Sequence, residues 1–203
     1  MMTYNLERLR VLVVDDSQYM IGIVRTLLEA MGVSDIRGIN CTDDPIHEIR
    51  TFKPDLIITD HIMEPINGLE LIRAIRNQRN GNMRFVPVIL LTGYAHEGVV
   101  TAARFDAGAD AVLVKPVSAK RLHACIVSLY ESTRTFVQTT TYFGPDRRTR
   151  DRPFEGPDRR GKAIVRNEDL VLENDDYEVV VPEPGPNVPA RRETGAAGGD
   201  DHD

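Results

Sequence analysis

Five short apolar runs, at residues 11–14, 36–39, 56–59, 86–91 and 111–114, alternate with five segments of helical period between residues 10 and 131. Each run has strand length, and most are rich in β-branched residues. The segments between them, at 18–31, 43–52, 69–78, 97–107 and 118–130, repeat their apolar side chains at helical spacing; Met20, Ile23, Val24, Leu27, Leu28 and Met31 make one face of the first. Gly32 and Gly108 stop two of these helices, and Pro87 stands at the entry of the fourth strand. Strands alternating with helices bury their apolar surface as a parallel sheet covered on both faces. The predicted fold is therefore α/β and doubly wound, with five strands.

In open sheets of this class the site lies at the carboxyl ends of the strands. The first strand ends in Asp15-Asp16, the third in Asp60, the fourth in Thr92 and the fifth in Lys115-Pro116. Three carboxylates at one sheet edge repel one another unless a hard divalent cation sits among them. An oxygen ligand set of that kind suits magnesium, which keeps waters and shares itself with a phosphate. A lysine and a hydroxyl at the same edge complete a phosphoryl site, in which metal and lysine neutralise charge and the hydroxyl binds an oxygen. One aspartate is then the nucleophile, forming an acyl phosphate.

Val11-Leu-Val-Val-Asp-Asp, Asp60 followed by Met63 and Gly68, Leu91-Thr92-Gly93 and Val114-Lys115-Pro116 together resemble the receiver domain of two-component response regulators. The resemblance implies a flavodoxin-like fold with strand order 2-1-3-4-5. It implies phosphorylation of Asp60 by a histidine kinase or histidine phosphotransfer protein. It also implies Mg2+ held by Asp15, Asp16, Asp60 and the backbone carbonyl of Ile62. Thr92 and Lys115 would be the switch residues, and Pro116 would follow a cis peptide bond. The implied role is signalling and not enzymatic. Two positions depart from the family pattern. Val112 stands where an aromatic residue usually swings inward, and Glu64-Pro65 shifts a proline by one place. Ile62 and Tyr94 flank the site and are expected to hinder the water that removes the phosphoryl group. The scattered histidines, His61 among them, are expected to be surface or locally satisfied residues.

Beyond about residue 134 the periodicity stops. Three parts are expected: a receiver at 9–132, a threonine- and arginine-rich extension at 133–166, and an acidic, Pro/Gly-rich disordered tail at 167–203. The chain has a net charge of −6 and a pI near 5.4, against nucleic-acid binding by bulk charge. A DNA-binding output module would need about 60 more packed residues, and none is visible. Cys41 and Cys125 have no disulfide or zinc spacing, which suits a reducing cytoplasm. The apolar runs are too short for a signal peptide or a membrane span.

The extension holds Gly-Pro-Asp-Arg-Arg twice, at 144–148 and 156–160. Arginine forks fit phosphates and the guanine edge, and Tyr142, Phe143 and Phe154 offer faces on which a base can stack. Asp146 and Asp158 can accept from guanine N–H groups. Arg148 to Arg152 also matches a short R-x-x-x-R element of PilZ-type cyclic di-GMP binders. The layout resembles chemotaxis-type receivers whose arginine-rich extensions bind cyclic di-GMP and act at the flagellar motor. That resemblance implies a ligand set of Tyr142, Phe143, Asp146, Arg147, Arg148, Arg150, Arg152, Asp158, Arg159 and Arg160. The alternative is a phosphorelay adaptor whose extension is only a solvated linker.

Overall fold

The computed structural model describes residues 6–40, 43–78, 82–94, 96–131, 136–138, 142–145 and 178–180. The strands β1 (Arg10–Val14), β2 (Asp35–Ile39), β3 (Leu56–Asp60), β4 (Val88–Thr92) and β5 (Ala111–Val114) form one parallel sheet in the order 2-1-3-4-5. Alternate residues of each strand feed opposite faces. Leu12, Val14, Ile57, Val88 and Leu90 pack under α2 (Pro45–Phe52) and α3 (Gly68–Arg76). Val11, Val13, Leu56, Ile58, Ile89 and Leu91 pack under α1 (Gln18–Glu29) and α5 (Ala119–Glu131). The core also takes in Leu6 and Leu9, both buried, so it begins ahead of the expected boundary at residue 9.

Local chemistry sets the helix ends. The Ser17 side chain caps α1, Asp44 caps α2 with Pro45 at its first turn, and Asn67 with Glu70 closes a capping box on α3. Gly68 opens α3 directly against the third strand, where a side chain would collide with the Asp60 carbonyl. This close approach holds the helix against the end of the strand that carries Asp60. Two details differ from the sequence reading. β4 starts at Val88, because Val86 N–H closes a turn onto Met83 and Pro87 has no N–H to give to a ladder. The helix expected at 97–107 is α-helical only over α4 (Glu97–Thr101). It then widens into a π-helical segment, Ala102–Ala107, whose end is closed by Gly108 N–H bonding to the Ala103 carbonyl.

A further departure lies after α5. Strands β6 (Phe136–Gln138), β7 (Phe143–Pro145) and β8 (Glu178–Val180) pair antiparallel in the order β7-β6-β8. Phe136 is fully buried and Phe143 nearly so. Their rings meet Phe85 at centroid distances of 5.1 and 5.5 Å. The Arg84 guanidinium lies 3.2 Å over Phe143, and that of Arg76 lies 5.4 Å over Phe136. Gly144, the first residue of the first repeat copy, approaches Gly108 so closely that a Cβ on it would meet the Gly108 Cα at 3.1 Å. Phe136, Phe143 and Gly144 are thus seated against the body that carries the parallel sheet. Two three-residue strands cannot bury two phenyl rings alone; Arg76, Arg84 and Phe85 supply the shelf that covers them.

Arg76 organises that shelf. Its side chain is 2% exposed and donates to the carbonyls of Gly108 (3.0 Å), Arg84 (2.7 Å) and Val86 (2.8 Å) and to Asp110 (2.7 Å). A buried charge is tolerable only with such pairing. The arrangement ties the end of α3 to the starts of β4 and β5.

Candidate functional site

β1 and β3 lie side by side and deliver Asp15, Asp16 and Asp60 to one edge, with one carboxylate oxygen of each within 4.8 Å of the others. Asp15 and Asp60 are buried and Asp16 is exposed. Lys115, just past β5, sends its Nζ to within 2.7 Å of Asp60 Oδ1 and 3.3 Å of Asp15 Oδ2. The Lys115–Pro116 peptide is cis, and so is Glu64–Pro65.

Burial pushes the Asp15 carboxyl above the usual carboxylate range. The Ser17 N–H and the Lys115 ammonium pull it back, while the Asp60 charge adds to the rise. For Lys115, burial works against the ammonium, but the hydrogen bond to Asp60 and the two carboxylate charges outweigh it. The ammonium is held above its usual range. One ammonium among three carboxylates leaves the pocket short of positive charge. All-oxygen donors at this spacing, one of them exposed, fit a hard divalent cation that retains waters.

The remaining expected residues flank this pocket. Thr92 is fully buried at the end of β4. Its hydroxyl accepts from the Tyr94 N–H at 3.1 Å, lies 3.3 Å from the Tyr94 carbonyl, and lies 3.3 Å from His61 Nδ1. Ile62 and Tyr94 form the rim and remain 58% and 55% exposed. Val112 is half-buried and packs on the α3 side of the sheet, in register with Leu90.

For the extension, Tyr142 is half-buried, with its hydroxyl 3.2 Å from the Pro145 carbonyl and 3.4 Å from that of Arg104. Phe143 does not offer the free stacking face expected of it, because Arg84, Phe85 and Phe136 cover it. Asp146, Arg147, Arg148, Arg150, Arg152, Asp158, Arg159 and Arg160 lie outside the described residues. Sequence reasoning missed the His61–Thr92 contact and the Arg76 shelf. Neither leaves a periodic signal, and His61 was traceable only as the neighbour of Asp60.

A metal response follows from the carboxylate geometry. At magnesium about ten times its dissociation constant, the folded chain should gain about 1.4 kcal/mol. Without metal, a carboxyl raised in the folded state costs stability at neutral pH, and the cost fades as pH falls through its folded value. Magnesium should therefore stabilise most near neutral pH. Its effect should fade on acidification from above the ordinary carboxylate range, as Asp15 takes up a proton. Thermal melts with and without magnesium across pH check this, and Asp15→Asn should abolish the response.

The response regulator receiver domain family matches residues 11–127 of this chain. The chain is 30% identical over 118 residues to the polar-differentiation response regulator DivK of Brucella anthropi, covering 58% of this chain and 93% of DivK. It is 30% identical over 141 residues to the sensory/regulatory protein RpfC of Xanthomonas campestris, covering 66% of this chain but only 19% of RpfC. Among solved structures, the chemotaxis response regulator CheY4 of Vibrio cholerae aligns with a TM-score of 0.54 and 25% identity, over 60% of this chain and 98% of CheY4. A receiver domain of a histidine kinase from Syntrophus aciditrophicus aligns with a TM-score of 0.53 and 27% identity, over 60% of this chain and 89% of that one.

Proposed function

The chain belongs to the response regulator receiver domain family, and from that premise we propose that it is a signalling receiver phosphorylated on Asp60. The observation that carries the reading is the Lys115 ammonium 2.7 Å from Asp60, with Asp15 and Asp16 gathered around the same carboxylate. Magnesium, when bound by Asp15, Asp16, Asp60 and the Ile62 carbonyl, supplies charge neutralisation for the incoming phosphoryl group. Asp60 offers the carboxylate oxygen that forms the acyl phosphate as the phosphorus–nitrogen bond of a phosphohistidine donor breaks and its imidazole leaves. Lys115 neutralises the growing charge, and Thr92 donates its hydroxyl to a phosphoryl oxygen. The partner class that fits is a phosphohistidine donor, a kinase or a phosphotransfer protein. No helix among the described residues is long and apolar enough to cross a membrane. The reading is tested by exposing the chain to a radiolabelled small phosphodonor: uptake of acid-stable, alkali-labile label that depends on magnesium supports it, and no uptake contradicts it.

The arginine repeat favours a second input. Two Gly-Pro-Asp-Arg-Arg copies suit a ligand with two similar halves, and cyclic di-GMP has two guanines and two phosphates. A partner such as the flagellar motor would then read both inputs. Calorimetry of cyclic di-GMP into the intact chain should give binding heat. Arg147→Ala/Arg148→Ala should weaken binding at least ten-fold, and lysine at both places should not restore it, because a point charge cannot copy the fork. No heat from the intact chain would remove the cyclic di-GMP reading.

A further inference from the structure

The Thr92 hydroxyl has one proton to donate and is held by three groups in this state. Two belong to the Tyr94 backbone. The third, His61 Nδ1 at 3.3 Å, comes from a different strand end and from the residue next to Asp60. His61 is itself fixed at both sides: its N–H donates to the Leu91 carbonyl at 2.8 Å, and its own carbonyl accepts from Gly68 N–H at 3.0 Å. The residue is half-buried, and its backbone is held at the end of the strand beside Thr92. To donate to a new acceptor the hydroxyl must leave the Tyr94 carbonyl, and turning it also moves its oxygen away from His61 Nδ1.

We propose that His61 is a positioning residue for Thr92: its ring nitrogen holds the hydroxyl in the unphosphorylated state and sets how readily it is released to a phosphoryl oxygen on Asp60. The proposal rests on the reading of Asp60 as phosphoacceptor. With the hydroxyl's single proton given to the Tyr94 carbonyl, the contact is one in which a protonated His61 Nδ1 donates to the Thr92 oxygen, and it is given up when the hydroxyl turns. A neutral hydrogen bond of this length is worth roughly a two- to ten-fold bias in an equilibrium. The bias favours the unphosphorylated state, so removing it should favour the other.

The test uses beryllofluoride with magnesium as the phosphoryl stand-in, titrated into the full chain and followed by amide NMR. His61→Leu should bind beryllofluoride roughly two- to ten-fold tighter than the wild type. His61→Asn, whose amide can occupy the place of Nδ1, should return towards the wild-type affinity. In a Thr92→Ala background, His61→Leu should have no effect, which a merely structural role would not produce. The nitrogen shift of His61 Nδ1 should also change on saturation of the wild type. Unchanged or weaker binding by His61→Leu, or an equal gain without Thr92, overturns the positioning role while leaving Asp60 in place. Absence of beryllofluoride binding by the wild type removes the Asp60 reading itself and the proposal with it.

Discussion

Phosphoryl labelling of Asp60→Asn by a small donor is expected to fall to background. The amide keeps the shape of the side chain and can still accept from Lys115, so the pocket stays packed, but its oxygen is no longer a charged nucleophile. Asp16→Ala should lose labelling for a different reason. Asp16 is exposed, so its truncation removes little packing, and the melt without metal should match the wild type. What it removes is one of three carboxylates that hold the cation. High magnesium should therefore rescue part of the labelling in Asp16→Ala and none in Asp60→Asn. Labelling by gel autoradiography at several magnesium concentrations separates the two. Full labelling of Asp60→Asn would place the nucleophile elsewhere.

The second large effect is on stability. Phe136→Ala should cost about 3 kcal/mol, the ordinary range for emptying a buried phenyl site, and lower the melting temperature by roughly 10 °C. The ring is fully buried, touches Phe85 and Phe143, and lies under the Arg76 guanidinium. Ending the chain after Glu131 should cost at least as much, since it removes Phe143 as well and uncovers Phe85. A free linker would give neither result. Phe143→Ala should cost less than Phe136→Ala, because Phe143 is the less deeply buried of the two.

The parallel sheet and its site were legible because both are written in short periods. A four-residue β-branched run followed by a helical face states a strand, a layer and a direction, and the residue after the run falls at the sheet edge. Asp15, Asp60, Thr92 and Lys115 could be found in this way without a structure. Phe136 and Phe143 could not. They sit in three-residue strands with no alternation, and what makes them core residues is a shelf built from Arg76, Arg84 and Phe85, far earlier in the chain. Local pattern cannot show that a basic residue such as Arg76 will be buried, since that depends on four acceptors arriving from other elements. The π-helical turn was hidden for a similar reason. Its sequence, Ala102 to Ala107, suits an α-helix equally well. His61 was readable only as one of several scattered histidines, and its bond to Thr92 arises from the parallel pairing of β3 with β4.

The most direct test is to map the phosphoryl group itself. The intact chain is incubated with a small phosphodonor and magnesium, reduced with borohydride, and digested for mass spectrometry. Reduction converts an aspartyl phosphate into homoserine and marks the position permanently. The expected result is conversion at Asp60 alone, absent when the metal is chelated. Conversion at another aspartate, or equal conversion at Asp60 without magnesium, would contradict the assignment of Asp15, Asp16, Asp60 and Lys115 to one phosphoryl site.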